Sequence, residues 1–305
     1  MRVKQLNLLF VVLFIVCTSC AFTTSSVEVT SSPETPLEQK TAETAQADLP
    51  VETELPALAP DPQVITFTAS DGQTLTGTYY PASENPAPVI VLMHWMGGSE
   101  HDWDAVAVWL QNRGIDSGIE SPSVPWLDDS WFPELPEGFS ISVFTFSFRG
   151  CENGDGCTAM DRKGWHLDAQ AAVLTAAGLD GVDPTRVITA GASIGADGAV
   201  DGCYLANEAS PGTCQGSFSL SPGDYLGVPY KFAVDELQTV VDGETTPAWC
   251  LANPSEYYFC EQAKGNSYLP IEIVGGGHGM AMIKPGLNPQ ALELLIEFIQ
   301  LTVLP

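Results

Sequence analysis

Ser193 lies in the sequence GASIG (191–195), which follows a short apolar run and precedes a row of small residues. A serine in this G-x-S-x-G spacing is typical of a sharp turn from a strand into a helix, which lifts the hydroxyl clear of the backbone. Glycine is needed at both outer positions because a side chain there would keep the strand and the helix apart. In a chain with 28 glycines the motif alone also fits an ordinary glycine-rich loop. Its chemistry therefore depends on the partners that the rest of the chain supplies.

A serine hydroxyl is a weak nucleophile at neutral pH and needs a base, usually a histidine that a carboxylate orients. The chain has four histidines. His278 lies in GGGHGM, directly after the last apolar run, where a loop could place it over Ser193. We interpret His101 and His166, in or beside amphipathic helices, as surface residues, and His94 as a residue that shapes the turn after its strand. His278 is therefore the candidate base.

Strands that alternate with helices are expected to position these residues. The apolar patterns predict strands at 64–68, 75–80, 88–93, 141–148, the run before Ser193, 217–220, 248–252 and 271–274. Helical spacing predicts a helix with Val106, Trp109 and Leu110 on one face, a helix with Leu167, Ala171 and Leu174 on one face, a helix at 232–241, and a C-terminal helix capped by Asn288. This alternation favours an α/β fold with a mostly parallel sheet that helices cover on both faces.

The connection at 115–138 is unusually long and contains Trp126 and Trp131. It could be a lid over an active site. A connection from a helix back to a strand begins, however, at the end of the sheet opposite the strands' carboxyl ends, where ligands bind. We therefore interpret it as a structural insertion. The short segment 220–247 leaves no room for a separate cap domain, so the site should be open.

The composition indicates one large folded domain with an acidic surface. The 305 residues are 45% apolar and carry 11 basic and 38 acidic side chains, a net charge of -27. Such a surface repels nucleic acid and anionic lipid headgroups, so we exclude both as partners. Residues 21–61, rich in Thr, Ser, Glu and Pro, are interpreted as a disordered linker, and residues 62–305 as the folded domain.

The first twenty residues resemble an export signal. Arg2 and Lys4 precede an apolar run at 8–16 that is too short to span a bilayer. Small residues followed by Cys20 resemble a bacterial lipoprotein cleavage site, which would make Cys20 the lipidated first residue of a membrane-anchored protein outside the cytoplasm. Cleavage after Ala21 is the alternative and would release a soluble secreted protein.

Six cysteines remain beyond this segment and fall into three pairs that are close in sequence. Their proximity and the expected export predict the disulfides Cys151–Cys157, Cys203–Cys214 and Cys250–Cys260. No histidine lies at ligand spacing near any pair, so we expect no zinc site. No other metal or cofactor is expected.

Four motifs together resemble the α/β-hydrolase superfamily: HWMGG (94–98) after the third strand, FRG (148–150), GASIG around Ser193, and GGHG around His278. They look closest to its dienelactone-hydrolase-like and minimal esterase members. The resemblance covers residues 62–305 and implies an α/β-hydrolase fold without a large cap domain. It also implies the chain order nucleophile, acid, histidine. Dienelactone hydrolase itself uses a cysteine nucleophile, where this chain has a serine.

The resemblance further implies positions for the acid and for the oxyanion hole. Counted along the family's pattern, the acid is Glu256, and Asp224 in SPGD is the alternative. The oxyanion hole would use the backbone N–H groups of Ile194, directly after the nucleophile, and of Met96. Trp95 stands where the family has a glycine.

We therefore expect an exported serine hydrolase that acts on small-molecule esters. Ser193 would attack the ester carbonyl, His278 would take and return the proton, and water would release the acyl-enzyme. A serine peptidase or an acyltransferase could use the same residues, because the fold does not choose among them. A lipid-anchored binding protein that keeps the fold without turnover is the alternative of a different class.

Overall fold

The computed structural model describes residues 55–115, 121, 123–154, 156–239 and 243–304. The expected signal segment, Cys20 and most of the expected linker lie outside these ranges. Within them, no helix is both long and apolar enough to cross a membrane. Leu58, in the last part of the expected linker, packs against the core, and its carbonyl accepts a hydrogen bond from Arg113 Nη1 at 2.7 Å.

One eight-stranded sheet forms the centre of the fold. Its strands are β1 (Gln63–Thr68), β2 (Thr74–Tyr80), β3 (Ala87–Met93), β4 (Ser142–Phe146), β5 (Val182–Ala192), β6 (Cys214–Leu220), β7 (Ala248–Ala252) and β8 (Tyr268–Glu272). They lie in the order β1-β2-β4-β3-β5-β6-β7-β8. The β1–β2 and β2–β4 pairs are antiparallel and the five other pairs are parallel, which confirms the mostly parallel sheet.

Helices cover both faces of this sheet. They are α1 (Asp104–Gln111), α2 (Arg162–Ala177), α3 (Ile194–Ala209), α4 (Tyr230–Leu237), α5 (Tyr258–Gln262) and α6 (Ala291–Thr302). One apolar cluster contains buried residues of α2, α3 and α4, and the other contains those of α1 and α6. Alternate residues of β3 belong to the two clusters, with Val91 in one and Leu92 in the other. A strand covered on both faces needs apolar residues at every position, which explains the continuous apolar run.

Arg149, from the FRG motif after β4, links three separate segments. Its Nη2 atom lies 2.6 Å from Oδ1 of Asp168, a buried residue of α2, and its Nη1 atom lies 2.6 Å from Oδ2 of Asp71 between β1 and β2. Two carboxylates on one guanidinium fix the end of β4 against its neighbours.

Three predicted element positions are wrong in detail. The last strand is β8 rather than 271–274, and Val274 forms an isolated antiparallel bridge with Asn288 instead. β8 contains Pro270, which an edge strand tolerates because one side of it needs no backbone donors. Gln290, not Asn288, caps α6. The predicted helix at 232–241 begins earlier, as α4.

The predicted buried face of α2 is also wrong. Leu174 is 37% exposed, whereas Ala169, Ala172 and Val173 are fully buried. The helix turns its small residues toward α3, where a Cβ on Gly202 would lie 3.0 Å from the Ala169 carbonyl oxygen. Small side chains allow this close approach of two helices, so leucine positions do not mark the contact face here.

The connection at 115–138 does not stay at the far end of the sheet, and its interpretation as a structural insertion away from the ligand end is wrong. Ser121 Oγ donates to Asp102 Oδ1 at 2.6 Å, and Asp102 lies just after the carboxyl end of β3. Farther along, the Lys284 ammonium lies 4.3 Å from the ring centre of Trp126. α1 is only about 12 Å long, so a connection of this length can return along it to the ligand end.

Candidate active site

Ser193 forms the whole turn between β5 and α3. Its φ of 55° and ψ of -116° are rare for a residue with a side chain and cost about 1–3 kcal/mol. The turn is held because the Ser193 amide donates to the Leu220 carbonyl at 2.8 Å. A Cβ on Gly191 would lie 2.0 Å from the Gly195 oxygen, and a Cβ on Gly195 would lie 2.2 Å from the Met93 oxygen. Both glycines are therefore required for the strand and helix to meet.

His278 lies between Ser193 and Glu256 and contacts both. Its Nε2 atom is 2.7 Å from Ser193 Oγ, and its Nδ1 atom is 2.8 Å from Glu256 Oε1. Ser193 is 5% exposed, whereas the His278 side chain is 38% exposed. The hydroxyl is thus sheltered, and the imidazole stands at its open side.

Asn253, which sequence reasoning did not single out, holds the second oxygen of Glu256. Its Nδ2 atom donates to Glu256 Oε2 at 2.8 Å, while its Oδ1 atom accepts from the Ser255 amide at 2.9 Å. Asn253 is buried directly after β7. The asparagine therefore fixes the carboxylate from the side opposite His278.

Ser221 positions the chain just after His278. Its hydroxyl accepts a hydrogen bond from the Gly279 amide at 3.0 Å, and its own amide donates to the Leu251 carbonyl at 2.8 Å. Like Ser193, it has a positive φ, of 57°. The loop after β6 thereby fixes the loop after β8, a contact between segments that no local motif indicates.

Asp224, the alternative acid, lies near the start of α4. Its Oδ1 atom accepts from the Tyr230 amide at 2.7 Å, and Tyr230 is the first residue of that helix. A carboxylate at this place satisfies a helix N–H group that has no partner within the helix. The structure thus brings Glu256, and not Asp224, to Nδ1 of His278.

The two expected oxyanion-hole donors follow neighbouring strands. Met96 comes after β3 and Ile194 opens α3 directly after β5, and these strands pair from Ala87 to Met93. A second loop supports the turn that contains Met96, because the Cys157 amide in that loop donates to the Met96 carbonyl at 2.9 Å. A Cβ on Gly156 would lie 2.9 Å from the same carbonyl oxygen.

The structure contains the disulfides Cys151–Cys157, Cys203–Cys214 and Cys250–Cys260. The first closes the loop that supports Met96, and the third closes the loop that carries Glu256. The second joins α3 to β6. Two of the three cross-links thus restrain segments that reach the Ser193–His278 pair.

His94 is buried and fixes the turn after β3. The Phe148 amide donates to its Nε2 atom at 3.0 Å, so the ring proton is on Nδ1 and donates to the Trp95 carbonyl at 2.6 Å. Burial lowers the pKa of His94 to about 4, although the hydrogen bond to Trp95 acts in the opposite direction. The neutral imidazole therefore ties the end of β4 to this turn.

The other two histidines do not contact Ser193 Oγ. His101 is 41% exposed and pairs with Asp104 at 2.8 Å, as expected of a surface residue. His166 was also expected at the surface, but it is half-buried and its Nδ1 atom lies 3.0 Å from Asp201, which is fully buried. A buried carboxylate on α3 needs such a partner.

Tyr225, the residue after Asp224, lies beside the imidazole, although no sequence motif indicated it. Its ring meets that of His278 edge to face, with the centres 6.3 Å apart. Its amide donates at 2.8 Å to Asp197, which is fully buried in the first turn of α3. Burial raises the pKa of Tyr225, and the nearby carboxylates of Asp197 and Glu256 act in the same direction. In the sequence, the only sign of this contact was Asp197, an acidic residue among the small residues after GASIG.

A cavity of about 780 Å³ opens elsewhere, beside the starting residues of β6 and β7. Its lining consists mainly of neutral polar side chains, such as Asn207, Thr245 and Ser267. In a parallel sheet this is the end opposite the one that binds ligands. The hydroxyl, imidazole and carboxylate that lie in series are instead found after the carboxyl ends of β5, β8 and β7.

Comparisons with known proteins agree with this fold. EstE1, a carboxylesterase cloned from a metagenomic library, superposes with a TM-score of 0.53 at 15% identity, over 82% of this chain and 92% of its own. An esterase of Pyrobaculum calidifontis gives 0.55 at 15% identity over 80% and 84%. A dienelactone hydrolase of Anabaena variabilis gives 0.50 at 14% identity over 80% and 97%.

Sequence comparison is less informative. No family model matches the chain. The uncharacterized protein YfhR of Escherichia coli K12 is 28% identical over 145 residues, which are 47% of this chain and 43% of that protein. The chain thus matches less than half the length of this relative. The architecture and the solved neighbours together show that the chain has the α/β-hydrolase fold.

Proposed function

We propose that this protein is a serine hydrolase that cleaves small carboxylic esters. The observation that carries the proposal is the pair of hydrogen bonds made by His278, one to the Ser193 hydroxyl at 2.7 Å and one to Glu256 at 2.8 Å. A serine, a histidine and a carboxylate in this series form the arrangement that activates a hydroxyl for acyl transfer.

In the proposed mechanism each group has a defined role. His278 Nε2 takes the proton as Ser193 Oγ attacks the ester carbonyl, and then gives it to the leaving alcohol. Glu256 keeps the Nδ1 proton in place and stabilises the imidazolium. The amides of Ile194 and Met96 bind the negative oxygen of the tetrahedral intermediate. Water, activated by the same imidazole, then releases the acid and frees Ser193.

Ester substrates are favoured by the short connection between β6 and β7 and by the solved neighbours. The part of the β6–β7 connection that the structure describes contains one short helix, α4, and no cap domain. Two of the neighbouring structures are described as esterases. A peptidase or an acyltransferase remains the alternative on the same residues.

We further propose that the protein is exported and anchored by a lipid on Cys20. The three disulfides support an oxidising compartment, because such bonds rarely persist in the cytosol. Mass spectrometry of the mature N-terminus tests the anchor. An unmodified chain that starts at Phe22 would contradict it and indicate a secreted protein.

The activity is tested with purified protein, short p-nitrophenyl esters and a fluorophosphonate probe. We expect hydrolysis and labelling in the wild type and neither in Ser193→Ala. Ser210→Ala, which changes an exposed serine at the end of α3, is the matched control and should behave as the wild type. A folded wild type that is inactive and unlabelled would overturn the proposal and favour a binding protein.

A further inference from the structure

The indole of Trp95 lies beside the proposed nucleophile. The position that a Cβ on Gly279 would take lies 3.0 Å from Trp95 Cε3 and 3.5 Å from Ser193 Cβ. Both side chains therefore border Gly279, the residue after His278. Trp95 is half-buried, so part of its ring remains open to a bound molecule.

A polar cluster holds this indole from its other edge. Trp95 Nε1 donates to Ser123 Oγ at 3.3 Å, and the Ser123 hydroxyl is hydrogen-bonded to Asp102. Ser121 Oγ donates to the same Asp102 oxygen at 2.6 Å. Asp102 is fully buried, and a Cβ on Gly98 would lie 2.0 Å from its Oδ2 atom. The ring is thus fixed by a buried carboxylate through the 115–138 connection.

Because of this arrangement, a bound ligand can contact only carbon atoms of the Trp95 side chain. The single polar hydrogen of an indole is its N–H, and here it points to Ser123. Tyr225 presents a second half-buried ring on the β6 side, edge to face with His278. The Ser193–His278 pair therefore has two aromatic neighbours, Trp95 and Tyr225, which follow the strands on either side of β5.

We propose that Trp95 determines specificity and that the site takes esters with a flat, uncharged aromatic ring. This inference rests on the proposed function. Fixed aromatic rings favour offset-stacked or edge-to-face contacts with another ring, beyond the contact area that an alkyl chain gives. A chain with a net charge of -27 also disfavours anionic substrates. The carbon surface of Trp95 offers an anionic group neither a positive charge nor a hydrogen-bond donor.

Hydrolysis of matched ester pairs, followed by titration of the released acid, tests the inference. Methyl benzoate against methyl hexanoate places the ring on the acyl side, and benzyl acetate against hexyl acetate places it on the alcohol side. We expect the wild type to prefer the aromatic ester by about three- to tenfold in kcat/KM in at least one pair. Trp95→Leu should abolish the preference, whereas Trp95→Phe should retain most of it.

Two further variants separate a contact from a general loss of structure. Ser123→Ala removes the partner of the indole N–H and should reduce the preference while the fluorophosphonate still labels Ser193. Trp109→Leu changes another half-buried tryptophan, which packs on Phe132, and should leave the preference unchanged. A labelled wild type without an aromatic preference, or a preference that survives Trp95→Leu, would overturn this inference alone. An unlabelled, inactive wild type would overturn the proposed function and this inference with it.

Discussion

The backbone amide of Cys157 donates a hydrogen bond to the carbonyl oxygen of Met96 at 2.9 Å. Through this contact, a loop closed by a disulfide supports the turn that is proposed to bind the oxyanion. Replacing Cys151 and Cys157 together by alanine should lower stability by about 2 kcal/mol, because the unfolded chain gains freedom. It should also lower kcat, by about tenfold, because the Met96 amide is no longer held in place.

The control for that variant is the double change of Cys203 and Cys214 to alanine. This disulfide joins α3 to β6, so its removal should cost similar stability and leave kcat close to the wild-type value. Urea unfolding and steady-state kinetics on both variants give the comparison. Equal kcat values for the two variants would contradict the assigned role of the Cys157–Met96 contact.

Glu256→Gln tests which carboxylate orients His278. Glutamine keeps the shape but loses the charge that stabilises the imidazolium, so kcat should fall by about 10³–10⁴-fold. Asp224→Asn removes the other candidate charge and can still accept from the Tyr230 amide, so its kcat should stay within about threefold of the wild type. The reverse ranking would identify Asp224 as the acid.

Tyr225→Phe keeps the ring against His278 and removes only the hydroxyl. We expect kcat to stay within about threefold of the wild-type value, because the edge-to-face contact with the imidazole is kept. Tyr225→Leu should reduce kcat further, because the edge-to-face contact with the imidazole is also lost. If the two variants were equally impaired, the hydroxyl rather than the ring would be the important part of Tyr225.

His94 should make the folded protein sensitive to acid. Its pKa is lowered from 6.5 to about 4 by burial, so the unfolded chain binds a proton at a higher pH than the folded chain does. The contribution of neutral His94 to the free energy of unfolding is complete above pH 6.5. It is lost as the pH falls through the pKa of about 4 that His94 has in the folded protein. Between pH 8 and pH 5 the loss should be about 2 kcal/mol.

His94→Gln isolates this contribution, since glutamine can replace both hydrogen bonds without titrating. The variant should be less stable than the wild type at pH 8, and the difference should shrink at pH 5. Urea unfolding at the two pH values measures it, and the many carboxylates common to both proteins cancel in the comparison. A difference that does not change with pH would show that His94 does not titrate in this way.

The elements that the sequence predicted well are those fixed by local sterics. The glycines around Ser193 require a tight turn wherever they occur, and the apolar run of β3 fits only a strand covered on both faces. Ser221 could not be predicted, because it acts on Gly279 in a different loop. Asn253 lies close to Glu256 in the sequence, but its role depends on which carboxylate faces His278, and only the folded chain decides that. The buried face of α2 was misjudged because its alanines, rather than Leu174, contact α3.

The route of the 115–138 connection could not be predicted either. Its starting point at the end of α1 is known from the pattern, but a long connection can turn in either direction. The contacts that select its direction, from Ser121 and Ser123 to Asp102, depend on a carboxylate that is itself buried only after folding. The proposed role of Trp95 in substrate specificity was inferred from these contacts and not from its position in HWMGG.

Among the residues of the 115–138 connection that the structure describes, none belongs to a strand of the sheet, yet Ser123 is hydrogen-bonded to the indole of Trp95. Ser193, Glu256 and His278 follow β5, β7 and β8, so none of these three residues lies in the connection. The connection also takes part in folding, because Val124 is buried in the apolar core. Changing Ser123 together with Trp95 should therefore alter the range of compounds on which the protein acts, while Val124 and the three proposed catalytic residues are kept.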